Sequence, residues 1–203
     1  MSAGTHTRQK LVATALELLW RNSYGSVSVD DICKAADVRK GSFYHFFPSK
    51  VDLTLAAMDE EIRRSDEAYG QVFTADTSPA RRFENLTATL LEQQAHAAET
   101  FGRVCGCPVT SLASELAGQS EFYAQKFEEL VHTRARYFET AISDMVIEGT
   151  IPRDTDVKAM AREIHDVILS AMVLARIQND LAPLGADLRV RLNHALGINL
   201  TTV

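Results

Sequence analysis

The sequence lacks the features that mark several large classes of protein. No stretch of its 203 residues approaches the roughly 18 uninterrupted apolar residues of a membrane span. The polar start, residues 1–10, contains no apolar signal-peptide core. Three cysteines, an odd number, do not form the disulfide framework of a small secreted protein. We therefore expect a cytoplasmic protein that has no membrane partner.

Recognisable catalytic and metal-binding patterns are also missing from the sequence. It offers no nucleophile with an evident base, no glycine-rich phosphate loop and no His-Glu metal pattern. Cys105 and Cys107 are separated by one residue, whereas zinc ligands usually pair at wider spacings with a second His or Cys pair. We predict no catalytic residues, no metal site and no cofactor. A helical enzyme or small-molecule carrier is the alternative from another functional class.

The charged residues are unevenly distributed along the chain. The formal net charge is −6, which by itself argues against nucleic acid. Residues 1–50, however, hold seven Lys/Arg and four Asp/Glu, a balance of +3. Residues 51–203 hold fourteen Lys/Arg and twenty-three Asp/Glu, a balance of −9. A basic segment followed by an acidic body is typical of a small DNA-binding module joined to a regulatory domain.

Two short helices joined by a tight turn are predicted between residues 28 and 50. Ser28 and Asp31 have the spacing of a capping box, so a helix should begin directly after Ser28. Asp37 tolerates the left-handed backbone that a sharp turn needs. The second helix, at about 40–47, is too short to be stable alone and ends before Pro48. This pattern, with a basic start to the second helix, is the helix-turn-helix plan for the DNA major groove.

The same segment resembles the DNA-binding domain of the tetracycline-repressor (TetR) family. More than ten positions match the family pattern in fixed register, and the preceding helix fits as well, so the resemblance covers about the first 55 residues. The matching residues are Val29-x-x-Ile32-x-x-Ala35-Ala36-x-Val38-x-x-Gly41-x-x-Tyr44-x-x-Phe47-x-x-Lys50-x-x-Leu53. The resemblance implies an all-α fold, a DNA operator and regulation by a small molecule.

The resemblance also implies which residues contact DNA. Arg39, Ser42 and, as an alternative to a phosphate contact, Lys40 would reach base edges, and the surrounding cations and hydroxyls would contact phosphates. Phe43 would lie either in the core or facing the groove. The predicted DNA-binding residues are Ser28, Arg39, Lys40, Gly41, Ser42, Phe43, Tyr44, His45 and Lys50.

Two departures from the family pattern bear on the operator sequence. The family often has Gly where this chain has Asp37, and often a Ser or Thr helix cap where this chain has Arg39. Losing the cap should cost about 1 kcal/mol, while Arg39 adds a phosphate or base contact.

The rest of the chain shows helical periodicity and no convincing strand, so we predict an all-α protein of about nine helices. Residues 1–53 should form a three-helix DNA-binding domain, and residues 54–203 a domain for effector binding and dimerisation. By resemblance, the helices at about 155–180 and 187–196 would pair with their copies in a homodimer, as a four-helix bundle.

Two sets of residues in the body are candidates for sensing a signal. Cys107, just before the helix that Pro108 begins, matches the Gly-Cys segment of one branch of the family, in which a cysteine senses electrophiles or oxidants. Cys105 would be a spectator or a resolving thiol. The other set would line an effector pocket: Met58, Phe83, Phe101, Phe127, His165 and Met172. The signal is therefore either a reversibly bound molecule or a covalent change at Cys107.

Overall fold

A computed structural model describes residues 3–198 of the chain, and within that range it contains nine α-helices and no strand. The prediction of an all-α fold is confirmed. The helices are α1 (Ala3–Arg21), α2 (Val29–Ala35), α3 (Lys40–Phe46), α4 (Lys50–Val72), α5 (Pro79–Phe101), α6 (Pro108–Leu116), α7 (Glu121–Glu148), α8 (Val157–Gln178) and α9 (Ala186–Leu196). No helix in that range is both long enough and apolar enough to cross a lipid bilayer.

The helices fall into two compact units. The first contains Met1–Arg64 and Pro108–Leu130, and the second contains Ser65–Cys107 and Val131–Val203. The long helices α4 and α7 therefore each contribute residues to both units. The division into domains at residue 53 stays a prediction.

Local sequence signals fix the two short helices of the first unit. Ser28 and Asp31 form the predicted capping box: the backbone N–H of Asp31 donates to Ser28 Oγ at 3.1 Å, and that of Ser28 donates to Asp31 Oδ2 at 2.8 Å. In the turn, Asp37 has φ = 49°, the left-handed conformation expected of it. The seven-residue helix α3 is anchored by Phe43 and Phe47, which are both buried.

Helix α6 completes the first unit although it lies far along the chain. Its Glu115 accepts hydrogen bonds from the backbone N–H groups of Tyr24 (2.9 Å) and Gly25 (3.0 Å), in the turn after α1. The Lys50 ammonium at the start of α4 donates to the Tyr24 carbonyl oxygen and lies 3.7 Å from the centroid of the Tyr24 ring. One turn of backbone is thus held by side chains from two other helices.

An aromatic cluster forms the centre of the second unit. Tyr69 and Phe73 of α4 stack on each other at 5.9 Å between ring centroids. Phe73 meets Phe83 of α5 at 5.5 Å and Phe138 of α7 at 5.7 Å. Such pairs stabilise a core beyond the apolar area they bury. Helices α8 and α9 pack on each other within the same unit.

The turn between α2 and α3 can be tested by replacing Asp37. Valine at a left-handed position should lower the free energy of unfolding by about 1–2 kcal/mol, because its branched side chain clashes with the backbone there. Glycine, which adopts this conformation without a clash, should be tolerated at little cost. Chemical denaturation followed by the fluorescence of Trp20, the one tryptophan, measures both variants. Equal stability of Asp37→Val and Asp37→Gly would contradict the assigned turn.

Candidate functional site

The outer side of α3 carries a row of exposed polar side chains. Arg39, Lys40, Tyr44 and His45 are all exposed, and Tyr44 retains 52% of its side-chain surface. Arg39 stands at the cap position of α3 but makes no capping hydrogen bond, so its guanidinium is not used to hold the helix end. These groups are hydrogen-bond donors on a helix of the size that enters a major groove. We call this surface, residues 39–45 without Phe43, the reading face.

Lys40 is paired on the reading face with an acid from the preceding helix. Its ammonium lies 2.8 Å from Asp30 Oδ1, and both side chains are more than half exposed. The hydrogen bond with Asp30 raises the pKa of Lys40, so the lysine keeps its charge. An exposed pair of this kind contributes little to stability and exchanges readily.

Three of the predicted DNA contacts have structural tasks in the first unit. The sequence left two placements open for Phe43, in the core or facing the groove. Its side chain is fully buried and therefore lies in the core. The Ser28 hydroxyl donates to Asp31 Oδ2 at 2.6 Å within the capping box. Lys50 is half-buried against Tyr24, and this burial lowers its pKa, although nearby Glu115 opposes the shift. Whether Ser28 and Lys50 also touch phosphate stays a prediction.

Residues of α1 that sequence reasoning missed lie beside the reading face. Gly4 and Thr7 form a shallow cleft of about 360 Å³ with Ser42, His45 and Phe46. Gly41 also lines this cleft, and nothing lies within 4 Å of where its side chain would begin. No signal in the sequence joins Thr7 to Ser42, because only the packing of α1 beside α3 brings them together.

The residues predicted to line an effector pocket are divided between the two units. Met58 is fully buried and Phe127 half-buried in the first unit. In the second unit, Phe83 is part of the aromatic cluster and Phe101 is the half-buried last residue of α5. His165 and Met172 are buried on α8. Their role as a common lining stays a prediction.

The segment that contains Cys105 and Cys107 is held rigidly in the second unit. The buried Gln94 side chain accepts from the N–H groups of Cys105 (3.2 Å) and Gly106 (2.7 Å) and donates to the Gly106 carbonyl (3.2 Å). Gly106 has φ = 68°, and a side chain there would begin 3.2 Å from the Met172 carbonyl oxygen. Arg176 donates to the Cys105 carbonyl from α8. Both cysteines are buried.

A buried arginine of α7 lies beside the Cys107 thiol and also contacts two side chains of α4. The buried Arg134 of α7 directs one guanidinium nitrogen at Cys107 Sγ, 3.9 Å away, and donates from Nε to Ser65 Oγ at 3.3 Å. Its central carbon lies 5.4 Å from the centre of the Tyr69 ring. His165 of α8 is buried nearby, and its pKa is lowered, first by burial and then by the charge of Arg134. We call these five residues, 65, 69, 107, 134 and 165, the Arg134 cluster.

Between residues 3 and 198, no three His, Cys, Asp or Glu side chains are grouped so that they could hold a metal ion. The Arg134 cluster contains a cation, which would repel a metal ion rather than bind it.

Two family profiles match the chain. Residues 11–57 match the bacterial regulatory proteins of the tetR family, and residues 79–190 match the tetracyclin repressor-like C-terminal domain. The transcriptional regulator AcuR of Cereibacter sphaeroides is 31% identical over 157 residues, which cover 75% of this chain and 68% of AcuR.

Solved structures of regulators have the same fold. The chain is similar to a regulatory protein TetR from Rhodobacter sphaeroides, with a TM-score of 0.83 and 28% identity over 92% of this chain and 97% of that one. The reduced form of Escherichia coli NemR superposes with a TM-score of 0.81 and 20% identity, and covers 98% of this chain and 100% of that one.

Proposed function

Because the chain belongs to the TetR family of DNA-binding transcriptional regulators, we propose that it is a cytoplasmic, homodimeric repressor that a small-molecule effector releases from its operator. The proposed DNA contacts rest on the two different sides of α3. Phe43 is buried on one side, while Arg39, Lys40 and Tyr44 are exposed on the other. A helix built in this way presents its polar side to a partner with many hydrogen-bond acceptors.

Base edges and phosphates supply those acceptors. Arg39 stands at the start of α3, where recognition helices contact bases, and has no capping bond to give up. Lys40 and His45 lie on the same side as phosphate contacts. In a dimer, two copies of the reading face would bind half-sites about 34–36 Å apart, which is one turn of DNA.

An exposed apolar surface on α8 and α9 supports the homodimer. Ile177 is 74% exposed and Leu174 is 41% exposed on α8, and Val190 is 62% exposed on α9. On the inner side of α8, Ala171 and Ala175 are buried within the unit. Apolar patches on a soluble protein mark interaction sites, and a symmetric dimer would bury the same patch twice.

Regulation follows from the linkage between DNA and effector. An effector that releases the operator must bind the DNA-free form more tightly than the DNA-bound form. Four of the residues that the sequence predicts to line the effector pocket belong to the second unit: Phe83, Phe101, His165 and Met172.

A covalent switch at Cys107 is the second mechanism, and one contact favours it. The Arg134 guanidinium lies 3.9 Å from the thiol and would stabilise a negative charge on an oxidised sulfur. The thiol is only 4% exposed, so an electrophile or oxidant would need a local opening to reach it.

Replacing Arg39 by alanine tests the reading face. Loss of one base-directed guanidinium should weaken binding to the chain's own promoter region by roughly tenfold to a hundredfold. Arg153→Ala, an exposed arginine in the turn between α7 and α8, is the matched control and should bind normally. Fluorescence anisotropy at several salt concentrations measures both, and wild-type affinity should fall steeply with salt. Unchanged affinity of Arg39→Ala would contradict its contact with DNA.

Replacing Ile177 by glutamate tests the dimer. Two buried carboxylates facing each other across a symmetric interface should shift the protein to monomers. Ile147→Glu places the same change at a site on α7 that is 82% exposed and should leave the dimer intact. Sedimentation velocity reports the mass of each variant. A dimeric Ile177→Glu protein would exclude this surface as the interface.

Replacing Cys107 by serine separates the two mechanisms of release. If a reversible ligand is the signal, Cys107→Ser should still release promoter DNA when cell extract that contains the natural signal is added. If the thiol is the sensor, the variant should stay bound, and mass spectrometry of the wild type should show an adduct on Cys107. Release by Cys107→Ser would eliminate the covalent mechanism.

A further inference from the structure

A groove lies between α1 and α4 within the first unit, and we call it the α1–α4 groove. Its volume is about 500 Å³, which is within the range of small-molecule sites in proteins, roughly 300–1,000 Å³. The small side chains of Ala13 and Ala56 leave this space open, and together with the buried Val12 they form an apolar part of its lining. None of the lining residues belongs to the reading face or to the predicted effector pocket.

Both acids of the groove already have cationic partners. Glu60 accepts hydrogen bonds from Arg63 Nε at 3.0 Å and from Arg64 Nε at 2.8 Å. The bond from Arg63, supported by the one from Arg64, lowers the pKa of Glu60 to about 2, so this carboxylate stays charged and bound to them. Asp59 Oδ1 lies 2.5 Å from the ammonium of Lys126, which follows α6 in the same unit.

Two arginines on different helices of the groove have N–H groups for a further acceptor. Arg8 of α1 is exposed, lies 5.1 Å from the ring centroid of Phe47, and forms no salt bridge with an acid among residues 3–198. Arg64 of α4 uses Nε for its bond with Glu60, which leaves the N–H groups of its two terminal nitrogens. The fork of a guanidinium matches the oxygen atoms of a carboxylate or a phosphate. A ligand that contacts both arginines is therefore an anion.

We propose that the α1–α4 groove binds a small organic dianion, with one anionic group at Arg8, the other at Arg64 and an apolar middle against Val12, Ala13 and Ala56. Two carboxylates at the ends of a short molecule match two guanidiniums on different helices. The apolar middle would leave water for an apolar surface, which stabilises the complex. The inference goes beyond the proposed function, because this site lies in the DNA-binding unit and is separate from the predicted effector pocket.

The first experiment titrates the wild-type protein with dianions of three lengths. The probes are succinate, adipate and terephthalate, and their uncharged diamides are the matched controls. At constant ionic strength, the backbone NMR signals of Ala13 and Ala56 should shift and saturate with at least one dianion. The diamides should not shift them. No saturable shift with any of the three dianions, or an equal shift with the diamides, would overturn the proposal.

The second experiment removes the two guanidiniums one at a time. Arg8→Gln and Arg64→Gln should each weaken binding of the best dianion about tenfold or more, since hydrogen bonds between charged groups are lost. Lys10→Gln removes an exposed cation of α1 that does not line the groove, and it should bind as the wild type does. An equal loss in Lys10→Gln would show attraction to the general positive charge of the unit, and unchanged affinity in Arg64→Gln would contradict the site.

The third experiment fills the groove while every charge is kept. Ala13 is exposed, so Ala13→Leu should fold normally, and its larger side chain would occupy part of the groove. Binding of the dianion should fall about tenfold or more, which calorimetric titration measures. Wild-type affinity in Ala13→Leu would place the dianion on the exposed arginines outside the groove and would contradict the proposal.

Promoter DNA is the alternative occupant, since its phosphates are also anions. Arg64 lies fourteen positions after Lys50 on α4, which is about 21 Å along the helix axis. We therefore expect Arg64→Gln to bind the promoter region as the wild type does when no dianion is present. Loss of promoter affinity in Arg64→Gln, together with no binding of any dianion by the wild type, would assign the groove to DNA and overturn the proposal.

Discussion

The shortness of α3 is the constraint on which the DNA-binding surface depends. Seven residues cannot hold a helix in water, so its conformation must come from contacts with the rest of the first unit. Phe43 and Phe47 provide these contacts from the buried side. The residues on the opposite side are then available for a partner. Because Arg39, Lys40 and Tyr44 are exposed, their polar groups are not buried in the core and do not destabilise it.

Side chains that hold backbone groups fix two irregular segments, the turn after α1 and residues 105–106. Glu115 binds two N–H groups of the turn after α1, and Gln94 binds three backbone groups of residues 105–106. Backbone polar groups outside helices need such partners when they are withdrawn from water. Each turn is therefore as well defined as the helices beside it. The first turn accepts a hydrogen bond from the Lys50 ammonium, and the second sets the position of the Cys107 thiol.

The fold and the reading face could be predicted because their signals are local. The capping box of Ser28 and Asp31, the left-handed Asp37 and the stop at Pro48 each act within four residues of sequence. The place of Phe43 was left open by the sequence, since burial depends on what packs against α3.

Features that depend on distant residues could not be read from the sequence. Glu115 lies about ninety positions from the turn that it holds. The sequence around an acidic residue on an amphipathic helix does not indicate which distant group it will bind. Arg134 looks like any arginine on a long helix until the fold brings Ser65, Tyr69 and Cys107 around it. Tertiary packing alone decides whether such a charge faces water or the interior.

Side-chain footprinting with hydroxyl radicals, with and without promoter DNA, tests the central claim most directly. Tyr44 and His45 are exposed on the reading face and react with the radicals, while Phe122, 59% exposed at the start of α7, serves as an internal reference. If α3 enters the major groove, DNA should protect Tyr44 and His45 and leave Phe122 unchanged. Equal oxidation of Tyr44 in free and DNA-bound protein would contradict the account.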